Sequence, residues 1–224
     1  MGDYYKKGLA AERLRACYDL APPRTRQYLD AEIAYVLEKS SPHRKVLELG
    51  CGYGRILKRL AGRVGLLTGI DTSFSSLIMA KEYLSRGSPC HLALMQALFL
   101  GFPDHQFDLT LCLQNGISAF AVDRQALFRE ALRVTRSGGT MLFSSYSERF
   151  WKDRLEWFEI QSAHGLIGPL DYEATGNGQI VCQDGFRATT VDAEGFKALA
   201  AGINLEPVIF EIDQSSLFCE IRVP

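Results

Sequence analysis

The spacing of apolar residues changes twice along the chain. Over residues 8–20, Leu9, Leu14, Cys17, Tyr18 and Leu20 recur at helical spacing, and Pro22-Pro23 ends that run. A second helical stripe, Tyr28, Leu29, Ile33, Val36 and Leu37, spans residues 25–39 and stops at Ser40-Ser-Pro. From residue 45 short apolar runs alternate with helical stripes. They predict strands at 45–49, 66–70, 92–96, 107–113 and 140–145, and helices at 55–61, 75–86 and 123–134. Thr72 or Ser73 suits the N-cap of the second of these helices, and Ser137-Gly-Gly reads as the stop after the third. Repeated strand–helix units of this length imply a parallel sheet with helices on both faces. A last helix at 191–201, with Asp192 as its cap, leads to apolar runs at 204–212 and 217–223. Only Asp213-Gln-Ser-Ser joins those runs, and so short a connection makes an antiparallel pair. The expectation is a doubly wound α/β fold with a seven-stranded, mostly parallel sheet that ends in an antiparallel hairpin.

Residues 146–190 interrupt the pattern. An aromatic helical stretch covers 150–163, a loop-like region surrounds 165–178, and runs at 179–182 and 186–189 flank Gln183-Asp184-Gly185, a hairpin signal. This segment reads as an insertion over the carboxyl edge of the sheet, where open α/β sheets bind ligands. The chain is thus expected to be one domain, 1–224, with an N-terminal helical cap at 1–40 and an inserted substrate lid at 146–190.

Composition narrows the classes. A chain of 224 residues with 47% hydrophobic and 23% charged residues has a globular core. Its net charge of −1 gives no field that would draw nucleic acid or an anionic membrane. Arg13, Arg15, Arg24 and Arg26 crowd the N-terminal stretch and read as a solvated helix face. With no apolar leader and no run long enough to span a bilayer, the expected location is cytoplasmic. The six cysteines form no CxxC pair and no zinc spacing, so free thiols and no metal are expected.

The chemistry concentrates in Val46-Leu-Glu-Leu-Gly-Cys-Gly-Tyr-Gly-Arg55, a buried strand running into a glycine turn and a helix. Gly50, Gly52 and Gly54 let the backbone turn tightly and approach a ligand. Glu48 beside the turn suits a cationic amino group. Asp71 ends the second strand, 17 residues after Gly54, where a carboxylate can accept both hydroxyls of a ribose. A dinucleotide site needs a third glycine where Arg55 stands, so the pyrophosphate fingerprint is broken.

These residues resemble the class I S-adenosylmethionine-dependent methyltransferases. The first motif of that family, E/D-x-G-x-G-x-G, is matched by Glu48, Gly50, Gly52 and Gly54, and its second-strand acid by Asp71. Gln96-Ala-Leu-Phe-Leu-Gly-Phe-Pro-Asp-His-Gln-Phe-Asp-Leu109 resembles its third stretch, with Gln96 in place of the usual Asp. Arg133-Val-Thr-Arg-Ser-Gly-Gly-Thr140 resembles its L-x-P-G-G turn. The resemblance implies S-adenosylmethionine as cofactor and S-adenosylhomocysteine as product. It implies cofactor contacts from Glu48, Gly50, Cys51, Gly52, Gly54, Asp71, Thr72, Gln96, Ala97, Leu98, Leu113 and Gln114, with Ala97 and Leu98 flanking the adenine.

Such transfer needs orientation and dryness more than a strong base, so no triad or metal is expected. The acceptor candidates are Tyr18, Asn115, Tyr146, Trp151 and Arg187, with Tyr4, Tyr5, Tyr28, Trp157 and His164 beside them. An aromatic cage for a cationic amine is one use for such rings. Gln114-Asn115 also reads as a plain polar turn. The Pro-Pro-aromatic signature of nucleic-acid amino methyltransferases is absent. The expected partner is a small molecule, with neither nucleic acid nor membrane involved. A protein or peptide methyltransferase, an inactive S-adenosylmethionine-binding module and an NAD oxidoreductase stay open as alternatives.

Overall fold

The computed structural model describes residues 8–84 and 90–224. Tyr4, Tyr5 and the last two positions of the helix expected at 75–86 lie outside them. Two helices, α1 (Ala11–Asp19) and α2 (Pro23–Glu38), precede the sheet. Pro23 starts α2, where its fixed φ and missing N–H cost nothing. Then follow β1 (Lys45–Leu49), α3 (Arg55–Leu60), β2 (Leu66–Asp71), α4 (Phe74–Leu84), β3 (Cys90–Leu94) and β4 (Phe107–Cys112). A short α5 (Gly116–Ala119), α6 (Arg124–Val134) and β5 (Thr135–Tyr146) complete the parallel part. Beyond β5 come a 3-10 turn, α7 (Trp151–Ala163), β6 (Ile180–Val181), β7 (Arg187–Ala188), α8 (Ala193–Ala201), β8 (Val208–Ile212) and β9 (Ser216–Arg222).

The sheet has seven strands in the order β3-β2-β1-β4-β5-β9-β8. β1 to β5 pair in parallel, and β9 lies antiparallel between β5 and β8. Asp213 and Gln214 both take left-handed φ, +56° and +52°, in the three-residue connection between the paired Ile212 and Ser216. The Asp-Gly hairpin appears as β6–β7, a separate two-stranded sheet. Asp192 caps α8 by accepting from the Gly195 amide, and Ser73 accepts from the Ser76 amide at the start of α4.

Two expectations change. Ser137-Gly-Gly, expected as the stop after a helix, lies inside β5 at a register irregularity. Thr135 already pairs with Phe107, and the register slips before Leu109 meets Thr140. Gly138, at φ +70°, helps the strand absorb the three extra residues on the β5 side. Of the four N-terminal arginines, three are staples. Arg13 donates to the carbonyls of Gly8, Gly165 and Leu166, Arg24 to Asp213, and Arg26 to the carbonyls of Ala21 and Asp19.

Three apolar clusters pack the described residues. One lies between the sheet and α6 and α8, and one on the opposite face under α2, α3 and α4. The third sits over the carboxyl edge, where α1 and α2 meet α7 and the β6–β7 hairpin. In the first cluster the fully buried Phe128 and Phe143 rings stack at 4.3 Å. Phe128→Ala is expected to cost about 3–5 kcal/mol, the usual range for emptying a buried aromatic site. Urea unfolding checks it: the midpoint falls with an unchanged slope. A loss under about 1 kcal/mol would show that this layer is not tightly packed.

Candidate active site

The carboxyl ends of β1, β2 and β4 open into a cavity of about 620 Å³, roofed by α1, α7 and the β6–β7 hairpin. Its floor is the glycine turn. Gly50, Gly52 and Gly54 all have positive φ, between +53° and +87°. A Cβ on Gly50 would lie 2.4 Å from the Phe120 ring, so α5 closes on the turn because no side chain is there. Gly54 is the left-handed cap of α3, turned towards Ala80 rather than the cavity.

Asp71 stands at the end of β2. Its Oδ2 accepts from the Gly52 amide at 2.9 Å and its Oδ1 from the Ser73 amide at 2.7 Å, which locks the carboxylate at the cavity wall. Each oxygen keeps a further lone pair for a ligand. Burial pushes its pKa up, against the pull of those amides. Gln96 and Ala97 line the same end, together with Met95 and Thr72. Leu98 does not line the cavity; it packs into the first apolar cluster.

Glu48 and Arg55 flank the glycine turn with opposite charge. Glu48 is buried, and burial raises its pKa to about 8, with Arg55 pulling it down and Asp71 pushing it up. Glu48 Oε2 and the Nε and Nη2 of Arg55 are buried atoms that face no hydrogen-bond partner among the described residues. Buried carboxylate and guanidinium atoms without hydrogen-bond partners on one cavity wall are costly unless a ligand completes them. Together they fit a zwitterionic amino-acid tail. In the sequence alone Arg55 stands out only as the residue that breaks the dinucleotide pattern.

The exit of β4 is built from strain. Gln114 and Asn115 are consecutive left-handed residues at φ +54° and +60°. The fully buried Glu32 of α2 holds them: one oxygen accepts the Gln114 amide and the other the Ser216 hydroxyl. Burial raises the Glu32 pKa despite these bonds. Gln114 Oε1 accepts from the Tyr18 hydroxyl at 2.9 Å, which ties α1 to β4 beside the cavity. Asn115 is committed to the scaffold, donating to the Thr189 carbonyl and accepting from Ser145. The Asn115 side-chain amide is thus engaged by the scaffold, while Gln114 keeps an unpartnered Nε2.

Away from the glycine turn the lining is aromatic: Tyr18, Tyr146, Trp157, Phe158 and Phe186, with Gln161 among them. Trp157 is fixed by donating to the Cys17 carbonyl at 2.8 Å. Of the acceptor candidates, Tyr18, Asn115 and Tyr146 line the cavity. Trp151 and Arg187 do not; Trp151 packs on the third cluster and Arg187 is exposed on β7. His164 ends α7 with its ring bonded to the Ile160 carbonyl, outside the cavity. Among the described residues no cluster of three or more His, Cys, Asp or Glu could hold a metal, and no helix is long and apolar enough to cross a membrane.

Residues 46–139 match the family described as a methyltransferase domain. The chain is 28% identical over 188 residues to the 2-methyl-6-phytyl-1,4-hydroquinone methyltransferase of Synechocystis sp. strain PCC 6803, covering 73% of this chain and 58% of that protein. Other related methyltransferases are spanned over 22% to 59% of their length. Among solved structures, the N-methyltransferase NodS of Bradyrhizobium japonicum WM9 with S-adenosylhomocysteine has a TM-score of 0.64 at 17% identity, covering 100% of this chain and 98% of that one. The cyclase SpnF has a TM-score of 0.68 at 16% identity, covering 100% and 94%. Likeness at that identity shows the fold, and the two names show that one fold carries different reactions. The family match runs from β1 into β5, through the strands and loops that carry the glycine turn, Asp71 and Gln114, and over that stretch the chain is similar to the class I S-adenosylmethionine-dependent methyltransferases.

Proposed function

We propose that this protein transfers the methyl group of S-adenosylmethionine to a small-molecule acceptor. One observation carries the reading: a single cavity joins the glycine turn to an aromatic wall that α7 and the β6–β7 hairpin cover. Its volume of about 620 Å³ falls within the ~300–1,000 Å³ of small-ligand pockets. Asp71 takes the ribose hydroxyls, Gln96 the adenine amino group, and Ala97 lies along the adenine. Glu48 and Arg55 take the ammonium and carboxylate of the methionyl tail, and Cys51, Gly52, Leu113 and Gln114 complete the cofactor wall. The bound cofactor supplies a methyl carbon already activated by its sulfonium.

The chain's own contribution is placement and dryness. The glycine turn and Asp71 fix one end, and the Tyr18–Gln114 bond fixes the border with the acceptor wall. The buried rings of Trp157, Phe158 and Phe186 keep water out. Residues 146–190 act as the lid and the described part of the N-terminal segment, 8–40, as the cap of one domain. A peptide acceptor asks for an open groove at this edge, and the covered wall speaks against it. An inactive binding module asks for no acceptor space beside the cofactor, and the cavity extends into that space.

Calorimetry with S-adenosylhomocysteine, followed by methyl transfer from labelled S-adenosylmethionine to pooled small molecules, checks the assignment. Micromolar binding and label transfer are expected. No binding of S-adenosylhomocysteine, with tight NADH binding instead, would return the chain to the dinucleotide class.

A further inference from the structure

We infer that the acceptor is an uncharged, electron-rich hydroxyarene, recognised by the rings of Tyr146, Trp157 and Phe158 and by the amides of Gln161 and Gln114, and that ammonium-bearing acceptors are excluded. This rests on the methyltransferase reading above and deepens it.

Charge in the cavity is segregated. Its charged lining residues among those described are Glu48, Arg55 and Asp71, all from the glycine-turn end. Tyr18, Tyr146, Trp157, Phe158 and Gln161 bring no carboxylate to the acceptor wall. Glu32 is close by but outside the lining, its oxygens engaged by the Gln114 amide and Ser216. An ammonium buried there would meet no counter-charge, which is costly in a low-dielectric site.

Aromatic rings alone can hold a cation when their faces are free to receive it. Here guanidinium groups are already stacked on them. Arg154 is 1% exposed and does not line the cavity, so it meets the lining rings from behind. Its guanidinium carbon lies 4.5 Å from the centre of the Tyr146 ring and 5.6 Å from that of Phe158. Its nitrogens donate to the Gly178 and Ala188 carbonyls, which fix it there. Arg55 lies 4.8 Å from the centre of the Tyr18 ring. A cation on one face draws π density towards itself, so the cavity face attracts a second cation less and an electron-rich ring more. The wall has the composition of a cation cage but the opposite electrostatics.

The two amides select the hydroxyl. Gln161 is 3% exposed, lines the cavity and makes no side-chain hydrogen bond among the described residues. Gln114 has its Oε1 occupied by Tyr18 and its buried Nε2 unpartnered. Gln161 can accept and Gln114 can donate, the complement of a hydroxyl that does both.

The test uses the whole protein saturated with S-adenosylhomocysteine and three probes of one shape: naphthol, naphthalene and naphthylmethylamine. Titration at pH 7, followed by calorimetry and Trp fluorescence, is expected to give naphthol at least about tenfold tighter than the amine. In Gln161→Leu the advantage of naphthol over naphthalene is expected to disappear while S-adenosylhomocysteine affinity is unchanged. Arg154→Met is expected to narrow the gap between naphthol and the amine. Should that variant fail to fold, the wild-type probe order and the Gln161 variant still decide the matter. Equal or tighter binding of the amine, an unchanged naphthol advantage in Gln161→Leu, or no binding of any probe overturns the inference alone. Failure to bind S-adenosylhomocysteine overturns the methyltransferase reading and this inference with it.

Discussion

Binding of S-adenosylhomocysteine at pH 7 is expected to release protons from the wild-type protein and none from the Glu48→Gln variant. Glu48 is buried, and burial raises its pKa to about 8, so at pH 7 about 0.9 of the population carries the proton. A ligand ammonium against Oε2 favours the carboxylate and expels that proton. Affinity should therefore rise close to tenfold per pH unit up to about pH 8 and then level off. Calorimetry in two buffers of different ionisation enthalpy reads the release directly. Identical enthalpies in both buffers would show that Glu48 does not receive the amino group. The same residue shapes the stability of the free protein. Its folded pKa lies above the ordinary value of 4.5, so its contribution is fully present below that value and is lost as pH rises through about 8. The loss has an upper bound of about 5 kcal/mol, and Glu48→Gln is expected to flatten that slope in urea unfolding between pH 6 and pH 9.

Asp71→Ala is the second change of large effect, expected to weaken S-adenosylhomocysteine binding by about 100-fold or more. The carboxylate is the proposed ribose acceptor and also the clamp between the Gly52 and Ser73 amides. Charge-assisted hydrogen bonds contribute roughly 1.5–3 kcal/mol each, so losing two on the ligand gives that range before any loosening of the turn. Asp71→Asn, which keeps an acceptor oxygen, should fall between. Far-ultraviolet dichroism and the urea midpoint separate a lost contact from a lost fold. A decrease under about fivefold in Asp71→Ala would remove the ribose from this residue.

The strand–helix alternation and the cofactor end were legible because both are local. Each βα unit carries its own period, and the glycine turn and Asp71 lie within one such unit and the next strand. The acceptor wall was less legible because it is assembled across distant segments. Trp151 reads as well as Trp157 in sequence. Six residues at ~100° each, however, put it roughly 120° round α7, away from the cavity face that Trp157 and Gln161 share. Glu32 carried no signal at all. It is one polar residue in an amphipathic helix, and its role depends on strands more than 80 and 180 positions away. Ser137-Gly-Gly reads as a stop in sequence because a glycine pair after a helix usually is one. Here Thr135 extends straight into the sheet, and the glycines absorb a register slip.

The placement of β9 between β5 and β8 has a consequence for how the chain is made. Synthesis runs from the N-terminus, so β5 emerges as a bare edge and stays one until residues near 216–222 arrive. Over the same interval α2 is missing its anchors. Ser216 bonds Glu32, Asp213 bonds Arg24, and Glu220 bonds both Tyr35 and Lys39. Glu32 in turn holds the strained Gln114 turn at the cavity. A nascent chain on the ribosome can thus form the βα units that carry the glycine turn while its binding pocket is still unset. β9 and the turn before it lock α2 and through Glu32 set the site, so ligand capture waits until that segment has emerged and paired.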